Sequence, residues 1–119
     1  MLGAWGGHAA SWLDQGDIPV LAIRYEDLIQ DPHGQLRRIA GHLGIPAEDG
    51  AICAAVAQTR FDLLQSYEQA QGFRERLPQA SARFFRSGAA GQWQAVLSAA
   101  QATRIERAHA VAMARFGYI

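Results

Sequence analysis

The densest chemistry in this sequence lies in Phe84-Phe85-Arg86-Ser87-Gly88-Ala89-Ala90-Gly91. An arginine, a hydroxyl and two glycines within six residues can offer one phosphate a forked cation, an O–H and closely approaching backbone N–H groups. The surrounding stretch, 73–91, carries Arg74, Arg76, Arg83 and Arg86 against Glu75 alone, so it is locally basic. The same composition also describes a solvated arginine loop whose glycines merely allow turns. A second group points to a ligand's other end. Thr59 and Phe61 lie where two helices are expected to meet, and an aromatic face beside a hydroxyl suits a purine ring through stacking plus a hydrogen bond. Phe61 reads equally well as an ordinary core side chain. Tyr25 follows the apolar run Val20-Leu21-Ala22-Ile23, at the strand end where ligands collect in open α/β sheets.

The elements that would position these residues are mostly helical. Leu2, Trp5, Ala9, Trp12 and Leu13 share one face of a helix over 2–14. Residues 19–24 read as a buried parallel strand, and a lone strand needs partners for its backbone groups. Asp31-Pro32 is a helix start, with Asp as cap and Pro at the first helical position. Leu36, Ile39, Ala40 and Leu43 then repeat at helical spacing until Gly44. Pro46 opens a further helix with Ile52, Ala55 and Val56 on one side, and another spans Asp62 to Gln71, stopping at Gly72. Residues 73–91 read as an irregular loop. The last helix begins at a capping box, Ser98 with Gln101, and presents Ile105, Ala108, Ala112 and Phe116 to the core. No internal repeat or low-complexity tract interrupts this order.

Composition narrows the function. A chain of 119 residues that is 50% hydrophobic and 18% charged suits one small domain with a core. Eleven acidic residues balance eleven cations, which argues against a general nucleic-acid or membrane-surface binder. All eleven cations are arginine, which removes Schiff-base chemistry and the Walker-type phosphate lysine. The single Cys53 excludes an internal disulfide and suits a reducing cytosol. No apolar run reaches the roughly 18 residues needed to span a bilayer, and no secretory leader is visible. The expectation is a cytoplasmic protein. His8, His33, His42 and His109 lack the spacing and company of a metal site, so no metal is expected.

Four segments in order make the chain similar to a known family. Gly3-Ala4-Trp5 through His8 to Trp12, Arg24-Tyr25-Glu26-Asp27-Leu28 with Asp31-Pro32, Thr59-Arg60-Phe61, and Phe84-Phe85-Arg86-Ser87-Gly88-Ala89-Ala90-Gly91-Gln92-Trp93 carry the likeness. Together they resemble the C-terminal part of the cytosolic-type sulfotransferases. Those enzymes move a sulfuryl group from 3′-phosphoadenosine 5′-phosphosulfate (PAPS) to a hydroxyl or amine. The resemblance implies an α/β fold: the C-terminal fragment of the three-layer, P-loop-like sulfotransferase domain, mostly helical with one parallel strand over about 19–24. It implies that residues 1–119 form a single, partial domain. It also implies that Tyr25, Thr59 and Phe61 contact adenine, that Arg86, Ser87 and Gly88 hold the 3′-phosphate, and that Phe84 supports that loop.

The resemblance also defines what is not found here. The family's 5′-phosphosulfate loop, with its lysine, and its histidine base would precede this stretch, so no catalytic residue is assigned and the chain is expected to be inactive alone. Ser87 stands where the family motif has lysine, and Gln92 where it has aspartate. The family's dimerisation segment would fall at Gln94 to Thr103, without its lysine and glutamate. Expected partners are the nucleotide donor and either a missing N-terminal half or further copies of the chain, with no nucleic acid and no membrane. Two other readings stand beside this one: a non-catalytic helical interaction module, and a regulatory or scavenging binder of 3′-phosphonucleotides.

Overall fold

A computed structural model describes residues 4–75 and 83–119, and among them every regular element is a helix. In order these are α1 (Trp5–Leu13), α2 (Tyr25–Gln30), α3 (Pro32–His42), α4 (Asp49–Gln58), α5 (Phe61–Gln71), α6 (Trp93–Val96) and α7 (Ala99–Arg115). Backbone proximity divides the chain into two units. One runs to Arg24 and resumes over Gly91–Ile119, and the other is Tyr25–Ala90.

In the first unit α1 packs on α7 through small residues. A Cβ added to Gly6 would lie 3.5 Å from both the Ala112 Cβ and His109 Nδ1, so the two backbones approach closely. Trp5 completes the contact, with ring centroids 5.7 Å from His109, 5.8 Å from Phe116 and 6.3 Å from Tyr118. The α7 start follows the sequence. The Ser98 hydroxyl accepts from the Gln101 N–H, and Gln101 Oε1 accepts from the Ser98 N–H at 2.9 Å. At its other end the Tyr118 N–H donates to the Met113 carbonyl at 2.8 Å and Gly117 turns through φ +71°, a Schellman stop. Arg24 reinforces that stop by donating to the Phe116 and Gly117 carbonyls at 3.1 and 3.3 Å, a cation at the negative helix end. Inside α7 the helix kinks at His109, whose φ and ψ are −122° and 16°.

In the second unit α3 packs on α4 and α2 on α3. Asp31 caps α3, its Oδ1 accepting from the Gly34 N–H at 2.9 Å, with Pro32 at the first turn. Among its described residues Ala40 and Ile52 are the buried apolar ones, Ile52 at 3% exposure. Arg37 joins α3 to α4 through Asp49 at 2.7 Å.

Several expectations are corrected. Residues 19–24 form neither strand nor helix, and no strand exists among the described residues. A strand is a paired object: without a neighbouring ladder, apolar β-branched composition does not produce one. Tyr25 is therefore the first residue of α2, not the end of a strand. The helix expected from Pro46 begins at Asp49, after Glu48 in an extended conformation. Leu43 and Ile105, placed on core faces by periodicity, are 62% and 44% exposed, and Ala108 is exposed too. The basic loop is irregular over 73–75 and 83–91, and the remainder of it, with Arg76 and Pro78, lies outside the described residues.

Candidate ligand-binding site

Helix α5 and the loop from Arg83 to Ala90 build one cluster inside the second unit. Phe61, Gln65 and Glu68 sit at i, i+4 and i+7, so all three face the same side of α5. Each meets the loop. Gly88, at φ +57°, presses so closely on Phe61 that an added Cβ would fall 2.4–2.7 Å from the ring's Cγ, Cδ2 and Cε2. The Gln65 amide donates to the Phe85 carbonyl at 2.8 Å and the Arg86 carbonyl at 3.4 Å. The Glu68 carboxylate accepts from two successive backbone N–H groups, Phe84 at 2.7 Å and Phe85 at 3.0 Å. Aromatic rings pack beside these contacts, with Phe84 itself 51% exposed. Phe73 lies 4.4 Å from Phe84 and 5.0 Å from Phe85, and Phe85 stands edge-on to Phe61 at 6.3 Å.

The sequence-named residues divide accordingly. Phe61 and Gly88 touch, Phe84 packs in the same aromatic cluster, and Arg86 and Ser87 lie between them in the loop. The Arg86 side chain is exposed and has no ion pair or hydrogen-bond acceptor among the described residues, which leaves its guanidinium fork available to an anion. Thr59 caps α4, its hydroxyl donating to the Ala55 carbonyl at 2.9 Å, so what it can offer a ligand is an acceptor. Tyr25 is 51% exposed and has no ring contact with the cluster among the described residues. Between Thr59 and Phe61, Arg60 makes a two-pronged pair with Asp62 at 3.1 and 2.8 Å. That hydrogen bond holds the Asp62 carboxyl below the usual carboxylate range, and Arg60 is thereby occupied at the surface.

Gln65 and Glu68 were not singled out in the sequence, because an isolated glutamate on a surface helix ordinarily faces water. The available clue was their spacing: both repeat the face of Phe61, where a purely apolar stripe would be expected. Among the described residues no group of three or more metal-ligating side chains is gathered, and no helix is long and apolar enough to cross a membrane.

Comparison with known proteins gives a consistent answer. The family model for the sulfotransferase domain matches residues 1–117. Sulfotransferase 2B1 of Homo sapiens is 31% identical over 111 residues, covering 90% of this chain and 30% of that protein. Sulfotransferase 1C2 of Oryctolagus cuniculus is 26% identical over 110 residues, covering 87% and 36%, and Sulfotransferase 6B1 of Danio rerio is 26% identical over 108, covering 87% and 34%. The chain thus spans about a third of the length of the relatives it matches.

Proposed function

Since the chain belongs to the sulfotransferase family, we propose that its second unit binds the adenosine 3′-phosphate end of PAPS, the compound that supplies the sulfuryl group to an acceptor hydroxyl or amine. One observation carries the reading: Gly88 of the basic loop lies directly against Phe61, so an aromatic ring for a base and a loop for a phosphate are neighbours in one cluster. The donor set suits the phosphate. Arg86 is its charged anchor through a forked, charge-assisted contact, the Gly88 backbone and Ser87 hydroxyl add polar contacts, and Phe84 supports the loop from within the aromatic group. Phe61 stacks on adenine, with Thr59 accepting from the exocyclic amine and Tyr25 closing the base from α2.

The residues present do not suit the 5′-phosphosulfate end. That group gathers negative charge on its bridging oxygen during transfer, and this chain has no lysine to meet it. We therefore read residues 1–119 as a partial, single sulfotransferase domain of the three-layer α/β type. It is inactive alone, cytosolic, and completed by further protein or by further copies of itself. The exposure of Leu43 and Ile45 favours a second reading, a helical interaction module that keeps the family shape without the ligand.

Calorimetric titration with adenosine 3′,5′-bisphosphate, the desulfated product, separates the two. Wild type should bind, and Arg86→Ala should lose about ten- to a hundredfold in affinity, the range for a charged hydrogen bond. Wild type that is folded and does not bind would leave the interaction module.

A further inference from the structure

Glu68 is the only buried charged or polar residue among those described, at 5% exposure, and no part of the reading above uses it. Burying a carboxylate is unfavourable unless strong hydrogen bonds compensate. Here Oε1 takes the Phe84 N–H and Oε2 the Phe85 N–H, so one rigid group fixes two consecutive peptide planes. Two adjacent N–H groups pointing one way form a concave anion site, and Glu68 fills that site from within the protein. Gln65, one turn earlier on the same face, takes the carbonyls of Phe85 and Arg86. The loop is thus held through its backbone from Phe84 to Arg86, immediately before the turn that lays Gly88 on Phe61. Among the described residues the Arg86 guanidinium makes no ion pair, so α5 holds the loop's backbone at Arg86 while that side chain stays at the surface.

We propose that Glu68, assisted by Gln65, is the positioning residue of the phosphate loop: it presets the backbone from which Arg86, Ser87 and Gly88 meet the 3′-phosphate. This rests on the reading of the loop as a 3′-phosphate site. A ligand that meets a preset loop does not have to order it on binding, and the gain appears as affinity. Glu68 itself does not touch the ligand.

The test compares two ligands on the whole chain. Adenosine 3′,5′-bisphosphate engages both base site and loop, whereas adenosine 5′-phosphate lacks the 3′-phosphate and reads the base site alone. Glu68→Gln keeps the shape but replaces one acceptor with a donor facing an N–H, and Gln65→Met removes the amide. Each should lower the affinity ratio between the two ligands, about tenfold for Glu68→Gln, while the monophosphate affinity changes less than about twofold. General damage to the fold would weaken both ligands alike and leave the ratio standing, so an unchanged ratio in folded Glu68→Gln overturns the proposal. If Glu68→Gln fails to fold, Gln65→Met decides by the same ratio. A wild-type ratio of one would instead overturn the reading of the loop itself, and the two failures are therefore distinguishable.

Discussion

Gly88 occupies a left-handed backbone conformation, with its missing side chain facing the Phe61 ring. Alanine there meets two penalties: about 1–2 kcal/mol for an L-residue at positive φ, and a methyl group driven into the ring. The ring cannot recede easily, since Phe85 stands edge-on beside it. Gly88→Ala should therefore lift the loop from Phe61 and abolish measurable binding of adenosine 3′,5′-bisphosphate, with a smaller fall in thermal midpoint. Wild-type affinity in that variant would show that the contact does not shape the site. Phe61, Arg86 and Gly88 could be nominated from the sequence because an aromatic ring, a guanidinium and a glycine each suit a ligand by type, and the Gly88–Phe61 contact is what the structure adds. Glu68 was not, because its role depends on which peptide groups lie opposite, and that is decided by the fold.

Helix ends are where this chain's local code is most explicit. The reciprocal Ser98–Gln101 box satisfies backbone donors that the first turn of α7 would otherwise leave unpaired. Ser98→Ala removes one half of it and should cost about 0.5–2 kcal/mol, seen as an earlier urea midpoint for the helical circular dichroism signal. An unchanged midpoint would mean that the tertiary contacts of α7, with Gly6, Trp5 and Arg24, and not its cap, set its stability. Caps and stops at Asp31-Pro32, Gly72 and Ser98 could be read in advance because each is settled within four residues. The segment 19–24 could not. Its apolar residues state a preference for β-structure, but only a second extended segment at hydrogen-bonding distance can make it a strand. Leu43 shows the same limit for helices: periodicity identifies a face, and only a neighbour buries it.

At the scale of the molecule, little apolar surface is enclosed. Ala40, Ile52 and Ala112 are the buried apolar residues among those described, while Val111 is 87% exposed and Val96 78%. Apolar side chains left in water favour association. Sedimentation equilibrium should give a mass that rises above 13.0 kDa as concentration increases. A constant 13.0 kDa at hundreds of micromolar would remove self-association as the means of covering these residues.

The hold of α5 on the loop has a consequence for how this sequence can change. Glu68 and Gln65 grip backbone N–H and C=O groups, which every residue type but proline possesses, rather than the side chains of the residues they hold. Position 86 can therefore exchange its side chain while Gln65 still holds its carbonyl, with Gly88 as the fixed point of the turn. At position 86 the loop thus separates what the side chain can reach from how the backbone is held.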